Sequence, residues 1–480
     1  MFRHLQRKVV LAIGVAVGSG AATLVTLNAK SANSDDTLKV DQKNGDKVSD
    51  ELVANNLKPI NGNDNGQDVS RGQDIINSCV NRLSQWRQIN GIPGIVVGVS
   101  LRGQNVWVYS EGFADIENGV KCNDRTVMRI ASISKSMTSA LLAKLLQEGK
   151  LDLDQPISQY LTKDQFPDKF WDGKKVDITL RQLASHLGGI RHYKKGNNNN
   201  NKNTTDDYKL AEFSVPEYYL KETFPSVTES LKLFKDDPLV AKPGEKYNYT
   251  TFGYTLISAV IESQLNGEKF EKYLVKFLRN ELGLEHTYLD QNDPIIYNRS
   301  HFYVKNENSG RMQNAPYVDN SYKWAGGGLL SNVYDLLKFG NIMLYSYKGG
   351  TADGKPGFIR KDIVDQMWTP AENTTAHRQY GGYGIGWGAV RNIESEFAYC
   401  SEPPFPNMIS HSGHAMGAIS ILLIEPKSEC VVTILTNYNE LKELGPMATY
   451  IAKQFTQQNI STEQFEQLLL SSQSTNQTIN

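Results

Sequence analysis

Two pairs of β-branched runs lie near opposite ends of this chain, and they constrain its fold more than any other feature. Residues 94–101 (Gly-Ile-Val-Val-Gly-Val-Ser-Leu) and 105–109 are separated only by Arg102-Gly103-Gln104, which predicts an antiparallel hairpin. Residues 419–424 and 430–436 form a second pair around Glu425-Pro426-Lys427. Ahead of the first pair, residues 71–88 carry Ile75, Ile76, Cys79, Val80, Leu83 and Trp86 at helical spacing. Between the pairs, helix and strand signals alternate. Strands at both ends with helices between them predict an α+β fold: an antiparallel sheet flanked by helices and completed by both ends, plus a helix-rich lobe from the middle.

The flanks read differently. Arg3, Arg7 and Lys8 precede an uncharged stretch at 9–27, and no acidic residue appears before Asp35. That pattern fits a mitochondrial presequence running into a hydrophobic sorting segment, with a secretory signal peptide as the alternative. At about 19 residues the stretch is long enough to cross most of a bilayer as a helix, so it can attach the chain to the inner membrane if it is not cleaved. The expected organisation is a leader at 1–27, a polar disordered linker at 28–69, a catalytic body at 70–465 and a disordered tail at 466–480. An asparagine run, 197–201, marks a flexible surface insertion spanning 194–212.

Charge and cysteine content exclude several classes. Lys+Arg 51 against Asp+Glu 52 leaves a net charge of −1, with no basic stripe for nucleic acid. Four cysteines, Cys79, Cys122, Cys400 and Cys430, form no C-x-x-C pair and are too few for a disulfide scaffold. One sequence pattern after another is missing: the Gly-x-Ser-x-Gly elbow, the Walker loop, the Rossmann glycines and the His-Glu-x-x-His cluster. No metal or cofactor is expected.

The segment richest in chemistry is Met128-Arg129-Ile130-Ala131-Ser132-Ile133-Ser134-Lys135, followed by Met137, Leu141 and Leu145 at helical spacing and a stop at Gly149. Ser132 then opens a helix, and Lys135 projects from the same face of its first turn. A serine hydroxyl becomes a nucleophile when an adjacent base takes its proton, and a lysine of lowered pKa can be that base. Taken alone, the pair has a plainer reading, with Ser132 as a helix cap and Lys135 as a solvated charge.

Two more segments favour the chemical reading. Lys242-Pro243-Gly244-Glu245-Lys246-Tyr247-Asn248-Tyr249 is a Pro-Gly turn leading to Tyr249 and then a helix bearing Leu256, Ile257, Val260 and Ile261. Ser410-His411-Ser412-Gly413-His414 stands immediately before a strand. A Ser-x-x-Lys helix, a tyrosine turn and a His/Lys-x-Gly strand, in that order, resemble the penicillin-recognising serine hydrolases: class C beta-lactamases, DD-peptidases and related esterases. Leu183-Ala184-Ser185-His186-Leu187-Gly188-Gly189-Ile190 and Ala325-Gly326-Gly327-Gly328-Leu329-Leu330-Ser331 add to the likeness. Pro93 to Ser100, Arg129 to Ser136, Arg191-His192-Tyr193 and Tyr317 to Gly328 place it nearest the animal mitochondrial branch of that family.

The resemblance implies a beta-lactamase/transpeptidase-like fold and a serine peptidase of the mitochondrial intermembrane space that takes a peptide or acyl substrate. It also implies self-association into a homo-oligomer or filament. Carried over, Ser132 is the nucleophile, Lys135 its base or proton relay, and Tyr249 the second acid/base group. Which of Lys135 and Tyr249 takes the first proton stays open. His411 would orient a substrate carboxylate or polarise the tyrosine. The backbone N–H groups of Ser132 and of His414, after Gly413, would form the oxyanion hole. The usual Tyr-x-Asn reads Tyr249-Thr250-Thr251, so Thr251 stands where an amide would contact the substrate. The alternatives are a catalytically weak scaffold that acts by self-assembly, and a secreted esterase. Asn248-Tyr249-Thr250 is also a glycosylation sequon, and a glycan there would obstruct the site.

Overall fold

The computed structural model describes residues 65–194, 215–306, 309–351, 353–374, 381–389, 407–441 and 444–456. The expected leader, most of the linker, the insertion beyond Lys194, Cys400 and the tail lie outside the described residues. Among those described, no helix is long and apolar enough to cross a membrane.

The sheet closes as the sequence predicts. Its strands are β1 (Gly94–Leu101), β2 (Gln104–Asp115), β3 (Val120–Lys121), β4 (Gly382–Tyr383), β5 (Gly388–Ala389), β6 (Ile409–Ala415), β7 (Ala418–Glu425) and β8 (Cys430–Thr436). Their order is β4-β5-β6-β7-β8-β1-β2-β3. The first strand therefore pairs antiparallel with the last, Ile95 facing Thr436 and Leu101 facing Cys430.

Helices cover both faces of this sheet. The principal ones are α1 (Asn65–Ile89), α2 (Ile133–Gln147), α3 (Thr251–Ser263), the single turn α4 (Trp324–Gly327), α5 (Val333–Lys348) and α6 (Gly445–Thr456). Ile95, Val97 and Val99 pack with Ile421, Leu423 and Ile434 against Cys79 and Leu83 of α1 and Ile451 and Phe455 of α6. Val96, Leu422, Val431 and Leu435 face the other way, toward α2 and α5. That second core continues without a break into the helix-rich lobe through Phe252, Leu256 and Val260 of α3. Every residue of β1 is buried, because a strand between two helical layers has no wet face.

One expectation needs correction. The second strand runs to Asp115 rather than Tyr109, because backbone pairing continues to Gly94–Gly112 after the apolar alternation stops. The His411 segment is itself strand β6, and it stands immediately before β7, as the sequence predicts. Its side chains alternate between buried and more exposed positions, so the strand lacks the apolar run that marks β7 and β8.

Candidate active site

Helix α2 runs through the centre of the molecule, buried on almost every side, and Ser132 is its N-cap residue. The Ser132 side chain makes no capping hydrogen bond, which removes the plainer reading of this serine. Lys135 is completely buried; its Nζ donates to Ser132 Oγ at 3.0 Å and to the carbonyl of Gly326 at 2.5 Å. Burial, reinforced by the charge of Lys323, pushes the Lys135 amine down to about 7. A large fraction is then the free amine at neutral pH, with its lone pair available to the serine proton. Ala131, just before Ser132, holds φ at 48°, in the left-handed region that alanine disfavours.

Strand β6 reaches the same point from the sheet. Ser420 Oγ of β7 donates to Ile130 O at 2.8 Å, tying the turn before Ser132 to the sheet. A Cβ on Gly413 would lie 2.2 Å from Ile130 O and 3.0 Å from the Ala131 Cβ. Only glycine allows this approach. Strand β5 pairs with β6 only at Ile409 and Ser410, so from His411 onward the β6 edge away from β7 has no ladder partner among the described residues. The His414 backbone lies on that stretch. His411 is buried, with Nε2 2.8 Å from Tyr383 Oη and Nδ1 2.7 Å from Ser412 O.

The Tyr249 turn closes the site from the helical lobe. The Lys135 Nζ lies 4.8 Å from the centre of the Tyr249 ring. That ring packs against His186, with centroids 4.2 Å apart, and stands edge-on to His192 and Tyr383. Thr251 begins α3, and its methyl group lies against Gly326, where a Cβ would be 2.6 Å away. The same short turn thus touches Thr251 through its Cα and Lys135 through its carbonyl. Asn248 Nδ2 donates to Ile190 O at 2.8 Å, so the sequon amide is already engaged.

Lys323 belongs to this neighbourhood and carries no sequence signal, since an isolated lysine normally marks a surface. It is buried, and its Nζ, without a hydrogen-bond partner among the described residues, sits 3.7 Å from the centre of the Tyr218 ring. Burial first, then the Arg129 charge, pushes this amine also to about 7. Among the described residues, no group of three or more His, Cys, Asp or Glu is placed to hold a metal ion. Burial raises the Cys79 and Cys122 thiols to about 12, so neither offers a thiolate at neutral pH.

A pH dependence follows. Protonated Lys135 cannot accept the serine proton, so kcat/KM for a small ester should fall as pH drops through about 7 and level off above it. Lys323→Met removes a like charge, favours the protonated amine, and should move this limb to higher pH. A profile flat between pH 5 and 9 would contradict the assignment of Lys135.

Comparison with known proteins identifies the family of the chain. The Beta-lactamase family model matches residues 80–456. The human serine beta-lactamase-like protein LACTB, mitochondrial, is 42% identical over 409 residues, covering 75% of this chain and 73% of its own length. Among solved structures, the octameric penicillin-binding protein homologue from Pyrococcus abyssi superposes with a TM-score of 0.62 at 22% identity, over 80% of this chain and 78% of that one. EstCE1, a hydrolase with promiscuous acyltransferase activity, also gives 0.62, at 19% identity over 81% of this chain and 98% of its own. At such identities these two establish the fold alone. With the family model spanning both lobes and the human relative covering three quarters of the chain, this protein belongs to the beta-lactamase family of serine hydrolases.

Proposed function

We propose that the protein is a peptidase of this family that works through an acyl-Ser132 intermediate. The observation carrying this reading is the buried Lys135 amine, 3.0 Å from Ser132 Oγ and anchored by Gly326 O. Lys135 takes the Ser132 proton as Oγ attacks the scissile carbonyl, and the oxyanion is met by the N–H groups of Ser132 and His414. Tyr249 passes a proton to the leaving amine, and water then releases the acyl group by the reverse relay. Thr251 in place of asparagine leaves a smaller, less versatile polar contact, so the acyl donor differs from a beta-lactam or a D-alanyl peptide. A fluorophosphonate probe should label the full chain covalently and leave Ser132→Ala unlabelled. Absence of label on the folded wild-type chain would favour a scaffold instead.

The working place we propose is the mitochondrion, in the intermembrane space. The basic, acid-free start supports it, as does the likeness to a relative whose name is mitochondrial. Residues 1–60 fused to a fluorescent protein should reach mitochondria and resist protease in intact organelles. Endoplasmic-reticulum location of the fusion would reverse the assignment.

A further inference from the structure

The short helix Leu180–Ala184 ends in an unusual way. Leu187 N donates to Gln182 O at 2.7 Å and His186 N to Leu183 O at 3.1 Å, the paired hydrogen bonds of a Schellman ending. In that motif the residue after the cap takes a left-handed conformation and is normally glycine, sometimes asparagine. Here it is His186, with φ at 62°. A bulky residue held in this region signals that its side chain is used.

Its surroundings show what it meets. The His186 carbonyl accepts from Asn248 N at 2.8 Å, and its Nδ1 accepts from Thr250 N at 3.2 Å. Its ring lies 4.2 Å from that of Tyr249, between those two anchors, and also packs against Tyr247, Tyr254 and Tyr383. The neighbouring His192 repeats the pattern more weakly, its Nδ1 accepting from Thr251 N at 3.4 Å. The Thr250 hydroxyl makes no capping bond to α3 and donates instead to Arg191 O at 2.6 Å, while imidazole nitrogens receive backbone N–H groups at the start of this helix. Burial and the charges of Lys135, Arg191 and Lys323 push His192 down to about 4, which keeps it neutral and able to accept.

The geometry points to His186 as a positioning residue that fixes Tyr249 against Lys135 by gripping the turn on both sides of it. This rests on the proposed acid/base role of Tyr249. With Nδ1 accepting, the neutral ring carries its proton on Nε2, and the acceptor rather than the ring's charge is what the turn requires.

The test uses the full chain and hydrolysis of ethyl butyrate, an ester whose ethoxide must be protonated to depart. His186→Gly suits the left-handed backbone but removes the acceptor and the ring; kcat should fall on the order of 10²-fold with KM little changed, as for a displaced catalytic group. His186→Asn tolerates the same φ and places Oδ1 where Nδ1 was, so it should stay within about 10-fold of wild type. Should the glycine variant fail to fold, His186→Gln carries the comparison: the same amide, with its acceptor one methylene further out, should lose what asparagine keeps. In a Tyr249→Phe background, His186→Gly should cost less than about 3-fold more, because the group it positions is gone. Wild-type turnover in His186→Gly, or the same loss in both backgrounds, overturns the positioning role. Wild-type turnover in Tyr249→Phe alone overturns the role of Tyr249 itself, and the positioning role with it.

Discussion

Lys135→Ala should abolish nearly all hydrolysis, on the order of 10⁴-fold or more in kcat, and Ser132→Ala should do the same. The two side chains act as one unit. Without the buried amine, Ser132 Oγ has lost the base 3.0 Å away, and without the hydroxyl the amine has no proton to take. The double variant should therefore lose little more than either single one. Lys135→Ala also empties a space where a fully buried amine met a carbonyl, so its folding must be checked by melting. Lys135→Met fills most of that volume and separates the two effects: it should fold and remain inactive. Near-wild-type turnover by any of these variants would end the assignment.

Tyr249→Phe should lower turnover by roughly 10²–10⁴-fold, the usual contribution of a positioned acid/base group. The hydroxyl is all that changes, and the ring keeps its packing against His186. Stability should hold while activity falls. If Tyr249 serves mainly the leaving group, an ester with a good leaving group should lose less than a peptide amide, whose amine must be protonated to depart. Equal losses on ester and amide would place Tyr249 at the first proton transfer instead, which the sequence leaves open between it and Lys135.

Much of this was legible beforehand, and for identifiable reasons. The β1–β2 and β7–β8 pairs show as apolar runs broken by turn residues, and α2 shows by its periodicity and its stop at Gly149. Ser132 and Lys135 share a helix turn, so their proximity is local and readable. His186 and Tyr249 are not local to each other; a left-handed histidine at a helix end has no periodic signature, and only tertiary packing brings it to the tyrosine. Lys323 is harder still, since nothing in its neighbours marks a lysine for burial. The His411 segment was readable from its Ser-His-Ser-Gly pattern rather than from an apolar run, since only alternate residues of β6 are buried.

The pairing of the first strand with the last reaches beyond architecture. Ile95 cannot meet Thr436 until almost the whole body exists, and β8 also separates β1 from β7 and the Gly413 edge that shapes the nucleophile turn. A chain emerging from the ribosome or crossing a translocation pore amino end first keeps its β1–β2 hairpin without that partner until the very end. An apolar strand left with an unpaired edge would invite aggregation in the meantime. Loss of even a short carboxy-terminal piece that includes β8 would strip the middle of the sheet rather than trim its border, so a prematurely stopped chain should be recovered as degraded or insoluble material instead of a smaller working enzyme.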